Sequence, residues 1–304
     1  MKTRPVFLLL CAILNGLTPL ARAKLNVVAT LPDLGAIAKD IGGDRVKVTS
    51  LAVGTEDPHF VDAKPSFIRV LNQADVLIEG GAELEMGWLP PLVNNARNAK
   101  ILGNATGHIL ASRGVRLLQA PTASVDRSQG DVHPLGNPHY LLWPENCGVV
   151  AATIAEALSQ LDAANAPEYQ ANRKRFQERL AQKIPEWENL MAPCRGTKVV
   201  TYHKSFDYLL ERFGLVLAGT IEPKPGIEPS PSHINRLVAE AKRAGVKLVI
   251  IEPNRPRKTP QQVADAIGAK LLVLPLLVGG HEKAQDFFGW FDYDVAQISA
   301  ALKP

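Results

Sequence analysis

Val199-Val200-Thr201-Tyr202-His203-Lys204-Ser205 sets an apolar, β-branched run directly against a polar segment that opens a helical pattern. A strand that runs into a helix start is half of a βα unit. The pattern repeats outward from there. Residues 205–213 read as a helix closed by Gly214, a residue suited to the left-handed turn after a helix. Residues 215–221 read as a strand, 222–231 as a Pro-rich turn and 232–244 as a helix ended by Gly245. A strand at 247–251, a helix at 260–267, a strand at 270–277 and an amphipathic helix at 286–302 complete this half. Strands alternating with helices predict parallel βαβ units and an α/β fold.

The first half shows the same alternation. Strands are expected at 25–30, 46–53, 75–78 and 100–102. Helices are expected at 34–41, at 66–74 behind Pro65, and at 84–96 with an interruption near Pro90-Pro91. Residues 120–138 are rich in Pro, Ser, Asp and Gly and read as a loop. A helix follows through Leu161, with Asn146 as its expected N-cap.

Between the halves, Tyr169, Phe176, Leu180, Ile184, Trp187 and Leu190 recur at spacings of three or four. That is one face of a long helix over 167–191, in which Pro185 is expected to make a kink or turn. Such a helix would tie two βα modules together stiffly. The expected organisation is a leader at 1–23, a first lobe at 24–165, a connecting helix at 166–192 and a second lobe at 193–304.

The leader carries Lys2 and Arg4, an apolar core over 6–14 and Ala21-Arg22-Ala23, the form of a cleaved secretory signal. Cys11 follows Leu8-Leu9-Leu10, where a lipidated cysteine would want a small residue, so no lipid anchor is expected. Cleavage removes Lys2, Arg4 and Arg22 and no acid, which takes the formal charge from +4 to +1. That balance favours neither nucleic acid nor an anionic membrane as a partner. Cys147 and Cys194 remain, either as a disulfide, which an oxidising compartment permits, or as two small buried hydrophobes.

Three histidines stand at junctions of this pattern. They are His59 in Asp57-Pro58-His59-Phe60, His139 in Asn137-Pro138-His139-Tyr140, and His203. Singly, each reads as an ordinary loop histidine. In an open α/β sheet, however, ligands bind beyond the carboxyl ends of the strands, and neutral imidazole is the commonest side-chain metal ligand. No dinucleotide fingerprint, phosphate loop or nucleophile elbow is present.

Asp57-Pro58-His59, Asn137-Pro138-His139 ahead of Pro144-Glu145-Asn146, and Tyr202-His203-Lys204-Ser205-Phe206 occur in an order that resembles the zinc- and manganese-type substrate-binding proteins of bacterial ABC transporters. The resemblance extends through Val27-Val28-Ala29-Thr30, the central helix, residues 219–231 and Val249-Ile250-Ile251-Glu252-Pro253. It implies two βα lobes with parallel sheets joined by a long rigid helix, with a metal site in the cleft between the lobes. His59 and His139 would be ligands from the first lobe and His203 from the second. It further implies a monomeric periplasmic protein, not an enzyme, that hands its ion to an ABC permease.

The chain departs from the family pattern at two places. The acid usual after the last strand is missing from Leu274-Pro275-Leu276-Leu277-Val278-Gly279-Gly280-His281. His281, Glu282, Glu252 and water are the alternatives for the fourth position. The loop at 120–138, often rich in His and acids in zinc-type members, offers only Asp126, Asp131 and His133, and His133 reads as a loop residue. Three imidazoles favour zinc over manganese, although copper and nickel also accept them. The competing function is a zinc hydrolase with an open coordination position and Glu222 or Glu252 as its base. Against it, no His-Glu-x-x-His pair occurs.

Overall fold

A computed structural model describes residues 23–121 and 133–303. Residues 1–22 of the leader, with Cys11, and the loop acids Asp126 and Asp131 therefore lie outside the described residues. The chain forms two parallel four-stranded sheets. In the first, β1 (Leu25–Ala29), β2 (Val46–Ser50), β3 (Val76–Glu79) and β4 (His108–Leu110) lie in the order β2-β1-β3-β4. In the second, β5 (Lys198–Thr201), β6 (Val216–Thr220), β7 (Leu248–Ile251) and β8 (Lys270–Val273) lie in the order β6-β5-β7-β8. Strand order reverses beside the first strand of each sheet, and that switch point is where ligands enter such sheets.

The helices of the first half are α1 (Pro32–Gly42), α2 (Pro65–Asn72), α3 (Leu89–Ala96) and α4 (Pro144–Leu161). The long α5 (Ala166–Met191) precedes α6 (Asp207–Phe213), α7 (Pro231–Ala244), α8 (Lys258–Ile267) and α9 (Phe287–Leu302). None of the described helices is long and apolar enough to cross a membrane.

α5 joins the two halves through its buried face. Tyr169, Phe176, Leu180, Trp187 and Met191 are buried on it. Trp187 stacks on Phe291 of α9 at 4.9 Å between ring centroids, and Phe176 meets Phe287 at 5.1 Å. Asn172 donates to the Ile41 carbonyl at the end of α1. One apolar core runs from the first sheet through α5 and α9 to the inner face of the second, where Val199, Leu248 and Ile250 point. Val200, Val249 and Ile251 alternate outward onto α7 and α8. Each fully buried large apolar side chain is worth about 1.5–3 kcal/mol, so five on one helix hold it firmly against both halves.

Several local expectations need correction. Residues 100–102 form a turn, and the fourth strand is His108–Leu110. Asn98 claims the earlier backbone: its amide donates to the Leu71 and Ala74 carbonyls, and its oxygen accepts from the Lys100 N–H. The third helix begins only at Leu89. Ala82 and Glu83 hold positive φ just upstream, and Pro90-Pro91 occupy the first turn, where no N–H is needed. Asn146 does not cap α4; Trp143 holds that position, and Asn146 donates to the Tyr140 carbonyl. Pro185 lies inside an unbroken α5, in a helix fastened on both sides of it by Leu180 and Trp187. Cys147 and Cys194 are both free and buried.

Candidate metal centre

All three junction histidines are brought to one place. His59 follows β2, His139 precedes α4 and His203 follows β5. Each is under a tenth exposed, and one ligand atom from each lies within 4.8 Å of the others. Ring centroids are 5.1 Å apart for His59 and His139, 5.4 Å for His59 and His203, and 5.6 Å for His139 and His203. A tetrahedral zinc with ~2.05 Å bonds needs donors about 3.3 Å apart. The rings thus stand slightly open around a common centre.

The local backbone fixes these positions. Pro58 precedes His59, and the Trp88 indole donates to the Pro58 carbonyl at 3.0 Å. The Asn137 oxygen accepts from the His139 N–H, while the Asn137 amide donates to the Lys204 carbonyl. The Tyr208 hydroxyl donates to the Asn137 carbonyl at 2.7 Å. The His139 loop is therefore pinned to the strand-to-helix junction that carries His203.

Carboxylates set the ring orientations. His59 Nδ1 lies 2.9 Å from Asp57 Oδ1, and His203 Nδ1 lies 2.8 Å from Glu222 Oε2. A carboxylate at Nδ1 holds the proton there and leaves Nε2 as the free donor atom. His139 Nε2 is buried with no hydrogen-bond partner among the described residues. Burial, reinforced by His59, His203, His133 and Arg255, holds the His139 pKa well below its ordinary value. The ring is therefore held neutral, with its Nε2 unpartnered among the described residues. Burial alone would raise the Asp57 carboxyl, but the His59 hydrogen bond and charge, with Arg255, bring it down to about 2.

His133, expected to be a loop residue, also enters the site. Its Nε2 lies 3.1 Å from His59 Nε2. Burial, then His59 and His203, lower its pKa to about 4. The remaining candidates for a fourth donor sit elsewhere. His281 stacks on Tyr293 at 4.1 Å between centroids, Glu282 is exposed, and Glu252 accepts from the Ser205 hydroxyl. Leu276 and Leu277 line a small apolar gap beside His139. On the open side, a pocket of about 110 Å³ is bounded by His133, His139, His203, Gln119, Asn137 and Lys204.

Asp57, Glu222 and Glu252 share one cation among the described residues, Arg255. With neutral imidazoles the formal charge of this cluster is −2, which a divalent cation would cancel. No pattern in the sequence marks Arg255 for this place. Glu222 lies in a Pro-rich turn, and only the strand alignment turns it toward His203.

A family model described as zinc-uptake complex component A, periplasmic, matches residues 27–301. The chain is 28% identical over 301 residues to the metal ABC transporter substrate-binding lipoprotein ScbA of Streptococcus cristatus, covering 96% of this chain and 93% of that one. It is 25% identical over 318 aligned positions to the manganese ABC transporter substrate-binding lipoprotein PsaA of Streptococcus pneumoniae, with 99% of each covered. Among solved structures, the crystal structure of ZnuA matches with a TM-score of 0.76 and 25% identity, over 91% of this chain and 99% of that one.

Proposed function

The chain belongs to the family of periplasmic zinc-uptake component A proteins, and from that premise we propose that it captures a divalent metal ion, zinc, and delivers it to an ABC permease. The observation that carries this reading is the buried trio of His59, His139 and His203, with ligand atoms within 4.8 Å of one another. Asp57 and Glu222 fix two of the rings, and His139 offers an unpartnered Nε2. His133 is the proposed fourth donor, since its Nε2 already lies 3.1 Å from that of His59.

An all-imidazole set supports zinc. Manganese prefers carboxylate and water oxygens, and the carboxylates here lie behind the rings. PsaA is named for manganese and the matching family for zinc uptake, so the zinc reading rests on the donor set of this chain. The proposed lobes are residues 24–165 and 193–304, with 166–192 as the connecting helix. The protein is proposed to act as a monomer outside the cytoplasm, in the periplasm after its leader is cleaved.

The named relatives are substrate-binding transport proteins, and the chain is not an enzyme. Both bases considered for the hydrolase alternative are engaged: Glu222 with His203, and Glu252 with Ser205. The test is metal analysis and zinc titration of the purified protein and of His59→Ala, His139→Ala and His203→Ala. One zinc per chain is expected for the parent, with strongly weakened binding and an intact circular dichroism spectrum in each variant. Unchanged zinc stoichiometry and affinity in all three would reject the site.

A further inference from the structure

Arg255 touches both halves of the centre and none of its three imidazole donors. It lies in the loop after β7, with its guanidinium 5.1 Å from the Tyr202 ring centroid. Nη2 is 3.2 Å from Asp57 Oδ2, Nη1 is 3.5 Å from Glu222 Oε1 and Nε is 3.7 Å from Glu252 Oε2. The oxygens divide their work. Asp57 Oδ1 holds His59 while Oδ2 faces Arg255; Glu222 Oε2 holds His203 while Oε1 faces Arg255. The result is a continuous relay, His59–Asp57–Arg255–Glu222–His203, and its Asp57–Arg255 link passes from the first half of the chain to the second.

We propose that Arg255 is a positioning residue that makes metal release wait on separation of the two halves. This rests on the three-histidine reading of the site. While the guanidinium spans Asp57 and Glu222, both carboxylates are held, and so are the Nδ1 protons that keep each Nε2 aimed inward. Parting the halves breaks the Asp57–Arg255 link first. Asp57 is then free to turn, and His59 loses its orientation. Arg255 therefore governs how fast the ion leaves, not how fast it arrives. Lysine cannot substitute: a single ammonium lacks the planar fork that addresses separate carboxylates at once.

A simple charge argument predicts the opposite. Removing a cation from beside a bound dication should strengthen binding, so the sign of the effect decides between the two. The experiment follows zinc transfer from the full chain to a chromogenic chelator by stopped flow, for the parent, Arg255→Gln, Arg255→Lys, Asp57→Asn and the Arg255→Gln/Asp57→Asn double variant. Melting of the metal-free proteins reports folding. Partners behind metal ligands are typically worth 10–100-fold, so both Arg255 variants are expected to release zinc about 10–100-fold faster, with association rates changed far less. The double variant should be no faster than the faster single one, since both break one link.

Release from Arg255→Gln at the parental rate or slower overturns the proposal. So does slow release retained by Arg255→Lys, or independent effects that multiply in the double variant. Should Arg255→Gln fail to fold, Asp57→Asn carries the test, and parental release from it overturns the proposal. A parent that binds no zinc sinks the site and the proposal together. A parent that binds one zinc, with release indifferent to Arg255, sinks the proposal alone.

Discussion

His203 Nδ1 and Glu222 Oε2 lie 2.8 Å apart, both buried, at the ends of adjacent parallel strands β5 and β6. The contact sets the tautomer of His203 and with it the nitrogen that faces the centre. Glu222→Gln keeps an acceptor but loses the charge that stabilises the Nδ1 proton. Zinc affinity is expected to fall about 10–100-fold, measured by competition with a chelator, with the circular dichroism spectrum unchanged. Parental affinity in this variant would mean that the His203 orientation is set by packing alone.

His139 and His133 should resist protonation in mild acid better than exposed histidines would. Burial holds the His139 pKa well below 6.5 and takes His133 to about 4. Proton competition at these two rings therefore begins below the ordinary histidine range. In the metal-free protein, the unfolded chain binds those protons first as pH falls below about 6.5. More protons on the unfolded state means stability drops as pH falls between 6.5 and the lowered folded-state values. Ring-nitrogen NMR of the metal-free protein should show His133 titrating near 4 and His139 well below 6.5. A midpoint at 6.5 for His139 would contradict its buried, unpartnered setting.

Much of this was legible in the chain. The βα alternation, the central helix and the three junction histidines follow from apolar periodicity and from where polar residues interrupt it. The errors fell where a side chain overrode the local pattern. Asn98 caps a turn out of residues that resemble a strand, and Pro90-Pro91 open a helix they were expected to interrupt. Asp57 and Glu222 became orienting groups, and Arg255 their bridge, only through the packing of distant loops. His133 follows a polar loop and carries no periodic signal; its approach to His59 is a tertiary fact.

Asp33, in the first turn of α1, is fully buried, and its Oδ1 has no hydrogen-bond partner among the described residues. Burial raises its pKa to about 7. Between about 4 and 7 the folded state keeps a proton that the unfolded chain has released, so the Asp33 contribution to stability is lost as pH rises through that window. A shift of this size corresponds to about 4 kcal/mol at most. Asp33→Asn should therefore gain relative stability between pH 4 and pH 8, by up to about 4 kcal/mol, in urea unfolding at the two pH values. Equal effects at both would show that Asp33 is ionised in the fold.

Gly54, after β2, meets the loop after β8 backbone to backbone. A Cβ there would lie 2.2 Å from both the Gly279 carbonyl carbon and the Gly280 nitrogen, and 2.5 Å from the Val278 oxygen. These are main-chain atoms, so no side-chain rotation relieves the clash. Because Gly54 belongs to the first half and Gly279-Gly280 to the second, relief requires one loop to withdraw from the other. Gly54→Ala should thus cost about 1–3 kcal/mol, the usual range for overpacking, in urea unfolding. It should also quicken zinc release, because Gly54 lies only five residues before His59 on the loop that carries it. Loss of stability with parental release would mean that this contact braces the fold without closing the site. Unchanged stability and release together would show that the two loops are not in contact in solution.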